Sequence, residues 1–301
     1  MYIIIASVII SMVYVFFYNY KTKRMYCKID RILDEILSER PISQSDILEG
    51  KISALANKAM RVQEKLQYEI NQANKEKEQI KELISDMSHQ LKTPLAAIMM
   101  FQELLEEREL PEEERSELQK RLHNQTERLE WILNSLFKMI NLEQGAIEFE
   151  IENNYIKETI IEAVSSVYQK AEKKKVQICM REFYDYKILH NRKWTVEVLV
   201  NILENAIKYT PSGGKIEIAV ISLQMYSRIE VRDNGIGIRQ EEKIKIFKRF
   251  YRSCEVQNIE GSGIGLYLSK LILEKEKGYL TVKSKYGKGS CFFIYLQNCK
   301  N

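Results

Sequence analysis

One of the three histidines in this 301-residue chain stands in the stretch SHQLKTPL, Ser88 to Leu95. An imidazole of ordinary pKa, about 6.5, is mostly neutral and nucleophilic at cytosolic pH. Met87 and Leu91 belong to one apolar stripe, and at about 100° per helical residue His89 lies roughly 200° from both, facing water. Thr93 is one turn along the same face, which puts its hydroxyl next to the ring. Pro94 lacks an N–H and its ring collides with the carbonyl of Gln90, so the helix should bend there, at a cost of about 3 kcal/mol. These features suit an exposed nucleophile in a bent helix, and a functionless surface histidine answers the same description. Gln90 stands where chemistry at a histidine usually recruits a carboxylate; it accepts a hydrogen bond but carries no charge. Asp86, one turn earlier on that face, is an acid that can assist.

Three later stretches suit phosphate and adenine chemistry. In NILENAIKYTP, Asn201 and Asn205 are one helical turn apart, with Lys208 and Tyr209 a turn further on. An amide carbonyl is a hard oxygen donor for Mg²⁺, and a neighbouring lysine can meet phosphate charge. A polar helix face ending in a turn reads the same way. In DNGIGI, Asp233 can accept from an exocyclic amine while Gly235 and Gly237 let the backbone approach a flat ligand; a tight turn is the plainer alternative. In EGSGIGLYLSK, Gly261, Gly263 and Gly265 precede a helix, and backbone amides there make an anion site. A dinucleotide fingerprint is rejected, because that motif follows the first strand of a βαβ unit, whereas this one lies near the C-terminus after a polar loop.

The elements that must position these residues can be read from the pattern of side chains. Met1 to Tyr18 contains no charged residue, long enough to cross a bilayer as a helix, with Tyr14, Phe16, Phe17, Tyr18 and Tyr20 gathered at one end. Lys21, Lys23, Arg24, Lys28 and Arg31 follow, which predicts a single-pass anchor with the N-terminus outside and the remaining chain cytoplasmic. A cleavable signal peptide is disfavoured: there is no basic n-region and no small-residue cleavage site. The expectation is that almost nothing projects outside the cell. A two-helix linker follows, broken at Pro41, and from near Asp46 a heptad seam (Leu66, Ala73, Ile80, Met87) suggests a coiled coil, weakened by Glu69 and Glu76 on its second seam. Leu91, Leu95, Ile98, Phe101 and Leu105 continue a stripe to a break at Pro111; a second amphipathic helix runs from Leu118 to Met139. Such a hairpin has too little core alone, so a homodimeric four-helix bundle is expected. After Gly145, helical patterns at 155–173 and 193–208 mix with strands KIEIAVIS, SRIEVRD, YLTVKS and CFFIYL, predicting a mostly antiparallel sheet with helices on one face. Charge excludes little but offers nothing to nucleic acid: 46 basic residues are interleaved with 42 acidic ones, a net +4. Five widely spaced cysteines without a CxxC pair suit a reduced compartment.

The stretch His89, Gln90, Leu91, Lys92, Thr93, Pro94 resembles the phosphoacceptor box of bacterial two-component sensor histidine kinases, departing from it at Gln90. The three later stretches resemble, in order, the N box and two glycine boxes of that family's ATPase fold, shared with gyrase B, Hsp90 and MutL. FKRFYR, Phe247 to Arg252, resembles its phenylalanine box. The resemblance covers roughly residues 80–299. It implies a dimerisation and phosphotransfer hairpin (79–147) and a C-terminal α/β sandwich that binds ATP (152–299), which with the transmembrane helix (1–20) and cytoplasmic helical linker or coiled coil (21–78) read above makes an α+β fold class. It further implies that Asn205 ligates Mg²⁺, that Asn201, Lys208 and Tyr209 line the nucleotide, and that Asp233 receives the adenine amine. Gly235 and Gly237 would floor the base, Gly261, Gly263 and Gly265 would form a lid, and Arg252 would contact phosphate. Gyrase, Hsp90 and MutL carry a water-activating glutamate where this chain has Asn201, which favours phosphoryl transfer to a protein over hydrolysis. The implied activity is autophosphorylation of His89 and transfer to an aspartate of a response regulator, with Thr93 orienting water for dephosphorylation. A degenerate member acting mainly as a phosphatase or partner-binding module is the alternative that Gln90 leaves open, and a non-kinase clamp of the same fold is disfavoured by Asn201 and the His89 box.

Overall fold

A computed structural model describes residues 2–37, 51–107, 110–147, 149–256, 259 and 261–299. The chain divides into two compact units, Met1–Ser85 and Asp86–Asn301.

In the first unit, helix α1 (Tyr2–Leu37) runs unbroken from the apolar segment through the basic residues that follow it. It is long and apolar enough to cross a membrane, and its apolar side chains are exposed along the whole stretch. The expected break at Pro41 and the helix start near Asp46 lie outside the described residues. Helix α2 (Lys51–Leu105) begins in this unit and carries the heptad residues Leu66 and Ile80 on its exposed surface.

The second unit opens with the rest of α2, continuous through Pro94, and with α3 (Glu112–Glu143). Pro111 precedes α3, and Glu112, Glu113 and Glu114 fill its first turn, where acidic side chains favour the positive end of the helix dipole. Leu95, Met99, Met100, Leu133 and Phe137 remain exposed, Phe137 by 62%.

The α/β part follows as β1 (Glu152–Tyr155), α4 (Ile156–Lys173), β2 (Gln177–Met180), β3 (Lys187–His190), α5 (Arg192–Tyr209), β4 (Lys215–Ser222), β5 (Tyr226–Asp233), α6 (Gly265–Lys275), β6 (Tyr279–Lys285) and β7 (Gly289–Gln297). A five-stranded sheet has the order β2-β4-β5-β7-β6, antiparallel except for the β2·β4 pair. β1 and β3 form a separate antiparallel ribbon, which sequence patterning missed because both are four residues long. Period-two alternation sorts the sheet's faces. Ile229, Val231 and Asp233 of β5 turn inward beside Ile294 and Phe292 of β7, while Arg228, Glu230 and Arg232 occupy the outer face. Ile160, Ala163, Val167, Ile202, Leu203, Leu268 and Ile272, from α4, α5 and α6, complete a core that is essentially closed to water. The predicted one-sided sandwich is what forms.

Two buried ionisable groups brace this core. His190 bonds through Nε2 to the Thr159 hydroxyl at 2.8 Å, and burial pushes its pKa down. Glu276 accepts from the N–H of Asn191 and the hydroxyl of Thr195, both at 2.9 Å. Burial raises its carboxyl to about 7, against the pull of those two donors.

Candidate nucleotide and phosphoacceptor sites

Helix α5 builds one wall of a cavity of about 900 Å³, a size typical of small-molecule sites. Asn191 caps the helix, its side chain accepting from the N–H of Trp194 at 3.2 Å. Val198, Leu199, Ile202, Leu203 and Ala206 face the core, so the polar positions between them, Asn201, Glu204, Asn205 and Lys208, turn to the cavity. The helix stops at Thr210, which is extended, as the residue before a proline prefers to be.

Asn201 is 7% exposed, and its Nδ2 has no hydrogen-bond partner. A buried donor left unpaired costs about 1–3 kcal/mol. Its side chain lines the cavity, where a phosphate oxygen is the kind of acceptor that would satisfy it. Asn205 lies one turn further along the same face. Among the described residues no cluster of three or more His, Cys, Asp or Glu is placed to hold a metal. Mg²⁺ keeps several waters and leans on substrate phosphates, so a single amide oxygen is a fitting protein ligand. Lys208 holds its ammonium 4.8 Å from the centre of the Tyr209 ring, and burial raises the Tyr209 phenol's pKa.

The end of β5 forms the opposite wall. Asp233 is 8% exposed, and its Oδ1 accepts the N–H groups of Gly235 at 2.9 Å and Ser290 at 3.1 Å. Both bonds fall on one oxygen, which leaves Oδ2 for an amine. Burial pushes the carboxyl's pKa up and the two N–H donors partly oppose that shift. Gly237 has φ +72°, and a Cβ there would stand 2.3 Å from the Lys285 carbonyl, so only glycine fits. Gly235 does not line the cavity: a Cβ on it would meet the Tyr209 carbonyl at 2.5 Å. It lets the turn pack against the end of α5.

The glycine loop before α6 closes the site. A Cβ at Gly261 would lie 2.5 Å from Nζ of Lys208, and one at Gly265 would lie 3.2 Å from Oδ1 of Asn201. Gly263 also lines the cavity, so the loop comes down on the polar face of α5. Arg252 lines the cavity as well, but its guanidinium donates to the carbonyls of Val256 and Ile259. Its observed bonds brace the segment ahead of the loop, where a phosphate contact was expected.

His89 stands exposed on α2, beside a half-buried Gln90 and a buried Pro94. Among the described residues no hydrogen bond or ion pair joins its ring to Asp86, Gln90 or Thr93. The Thr93 hydroxyl, expected beside the ring, donates to the His89 carbonyl at a long 3.4 Å. A threonine hydroxyl in a helix reaches the carbonyl four residues back, and that local acceptor wins.

Several wall residues carried no signal in the sequence. Ser290 orients Asp233 through a backbone N–H that any residue would supply. Asn124, Glu127, Arg128, Trp131 and Ile132 of α3 also line the cavity, although their spacing reads only as a bundle helix.

Residues 190–299 match the family described as histidine kinase-, DNA gyrase B- and HSP90-like ATPase, and residues 79–145 match the His Kinase A phospho-acceptor domain. The sensor histidine kinase YcbM of Bacillus subtilis is 30% identical over 230 residues, covering 74% of this chain and 73% of that protein. Drug sensory protein A of Synechocystis is 31% identical, covering 71% of this chain and 34% of its own length. The chain thus spans between about a third and three quarters of these relatives. Among solved structures, histidine kinase ThkA in complex with response regulator protein TrrA has a TM-score of 0.61 at 22% identity, covering 77% of this chain and 66% of that one. Acinetobacter baumannii histidine kinase AdeS has a TM-score of 0.59 at 22% identity, covering 70% and 98%. At that identity both share the fold. With a phosphoacceptor domain joined to a gyrase B- and HSP90-like ATPase domain and a relative matched over most of its length, the chain belongs to the sensor histidine kinases.

Proposed function

We propose that this chain is a membrane-anchored, homodimeric sensor kinase that transfers the γ-phosphoryl group of Mg²⁺-ATP to Nε2 of His89. The phosphoryl group then passes to an aspartate carboxylate of a response regulator. The observation that carries this reading is the buried, unpartnered amide of Asn201 in a cavity shared with Asp233 and the glycine loop. Asp233 receives the exocyclic amine, Asn201 and Lys208 meet phosphate oxygens, and the loop excludes water. Asn205 would hold Mg²⁺, which would supply charge neutralisation. The imidazole attacks phosphorus as the bond to the β-phosphate oxygen breaks, and ADP leaves. Because the transition state is loose, positioning and charge matter more than covalent activation.

The exposed apolar residues of the hairpin, Leu95 and Phe137 among them, are consistent with burial against a second copy. The apolar start of α1, followed by its basic residues, supports a single-pass anchor with the N-terminus outside and the catalytic region cytoplasmic. The seam of α2 supports a parallel coiled coil between them. Incubation of the chain with γ-labelled ATP tests the central claim. Acid-labile, base-stable label that vanishes in His89→Ala is expected; label that persists in the variant would refute it.

A second activity rests on Thr93, one turn from His89 on the same exposed face. The role we assign it is the orienting of a water for dephosphorylation of the regulator, once its hydroxyl leaves the His89 carbonyl. Thr93→Ala should spare autophosphorylation and impair dephosphorylation, and the reverse pattern removes the assignment. Gln90 is the one feature that favours the alternative reading, a chain acting mainly as a phosphatase or partner-binding module.

A further inference from the structure

The phosphoacceptor hairpin and the nucleotide domain meet through the C-terminal half of α3. Ile132, Ser135, Leu136, Met139 and Leu142 are buried there, whereas none of residues 112–131 is. At the end of this seat stands Glu143. Its Oε1 accepts from the Arg249 guanidinium at 2.5 Å and from the Tyr267 hydroxyl at 2.7 Å. Arg249 also lies 5.0 Å from the centre of the Tyr267 ring, so the three side chains form one half-buried cluster. Burial, with help from Glu143, pushes the Tyr267 phenol up to about 12, so it is a hydrogen-bond donor throughout the physiological range.

The two partners of Glu143 come from opposite sides of the glycine loop. Arg249 belongs to the segment that enters it, and Tyr267 is on the first turns of α6, which leaves it. One carboxylate on the hairpin therefore holds both flanks of the element that closes the nucleotide cavity. A second tie, Lys138 to Glu197 at 2.9 Å, fastens α3 to α5, the wall that carries Asn201 and Asn205.

The height of this docking matters. The short connection from the end of α2 at Leu105 to the start of α3 at Glu112 makes the two helices antiparallel neighbours. His89 lies sixteen residues before the end of α2, and Arg128 sixteen after the start of α3, so at equal rise per residue they stand level. Residues of α3 at that level, from Asn124 to Ile132, line the nucleotide cavity. The docked arrangement thus presents the cavity at the height of the phosphoacceptor.

We propose that Glu143 is a positioning residue for phosphoryl transfer: through Arg249 and Tyr267 it locks the flanks of the glycine loop to the hairpin, with the cavity facing the level of His89. This inference rests on the kinase reading above. Holding reactants in register is worth large factors in rate when the transition state is loose. A residue acting in this way should affect the maximal rate of transfer and leave nucleotide affinity nearly untouched.

The test uses the full chain in nanodiscs. Glu143→Ala should lower the kcat of autophosphorylation about ten-fold while its affinity for the non-transferable analogue adenylyl imidodiphosphate stays within about two-fold. Tyr267→Phe should lower kcat by a smaller factor, about two- to three-fold. Exchanging the charges, Glu143→Arg with Arg249→Glu, should restore much of the rate that either single change removes. An unchanged kcat, a higher kcat, or a loss explained by weaker analogue binding overturns the proposal. Amide hydrogen exchange keeps it testable if the wild-type chain takes no label at all, an outcome that would sink the kinase reading instead. In Glu143→Ala, exchange across Phe247–Arg252 and the first turns of α6 should quicken, and exchange identical to wild type also overturns the lock.

Discussion

The hairpin and the nucleotide domain solve opposite problems. The nucleotide site is closed on its own core: Asn201 and Asp233 are held by elements whose inward side chains are almost wholly buried. The proposed phosphoacceptor site is open, with His89 exposed on a helix whose neighbouring Leu95 is 49% exposed and Met99 56%. A site that must pre-arrange several polar groups around a ligand needs rigid backing. On the proposed reading, a nucleophile that must meet first a nucleotide and then a second protein needs access, and a second copy of the chain would supply the burial its helix lacks.

The sharpest way to break this contrast is to remove one residue from each region. His89→Ala should abolish acid-labile label yet leave ATP binding intact, whereas Asp233→Asn should weaken ATP binding by about 100-fold and lose label with it, as expected when a buried polar pairing is broken. Equilibrium nucleotide binding beside a labelling assay checks both, and coupled loss in His89→Ala would show that the regions are not separable.

Next in size is the response of each core to a cavity. Ile202→Ala, at a fully buried site, should cost about 2–5 kcal/mol in denaturant unfolding. Leu95→Ala should instead raise the dimer dissociation constant, measured by analytical ultracentrifugation, with little change in the unfolding of the nucleotide domain.

The nucleotide domain should also carry a pH dependence set by its buried carboxyl. Glu276 has a folded-state value of about 7 against an ordinary 4.5. Between those values the folded carboxyl holds a proton that the unfolded chain has lost, so its stabilising share is full below 4.5 and falls away as pH rises through 7. The swing is about 3 kcal/mol. Unfolding curves from pH 5 to 8 should show it, and Glu276→Gln should flatten them. His190, whose pKa is lowered by burial, works in the other direction, costing stability as pH falls below its ordinary 6.5.

The smallest expected effect concerns the open site. Gln90→Glu would place a charge beside the imidazole and should raise the initial rate of autophosphorylation about ten-fold, less than the 10²- to 10⁴-fold of a full general base because Gln90 already accepts a hydrogen bond. Asp86→Ala should lower it if that acid compensates; no gain in the first and no loss in the second would remove charge from the account of this histidine.

Much of both sites was legible in advance because their signals are local. The strands KIEIAVIS and YLTVKS form at the places their alternation predicts, and α5 carries its asparagines on one face because its leucines and isoleucines take the other. Exposure of His89 followed from its angle to Met87 and Leu91. The strands of ENNY, QICM and KILH gave no such signal, being too short for a period to show. Thr93, Gly235 and Arg252 were placed correctly on their elements but found nearer partners than expected: a carbonyl one turn back, the end of α5, and the backbone ahead of the glycine loop.

By itself the sequence determined the periodic elements, the family, and the residue types at each reacting position, since these depend on neighbours within a few turns. Only the tertiary structure decided that α3 walls the nucleotide cavity, that Glu143 reaches Arg249 more than a hundred residues away, and that Glu276 is buried deeply enough to titrate near neutrality. The physical reason is that burial and pairing between distant segments depend on how whole elements pack, and no local period records that packing.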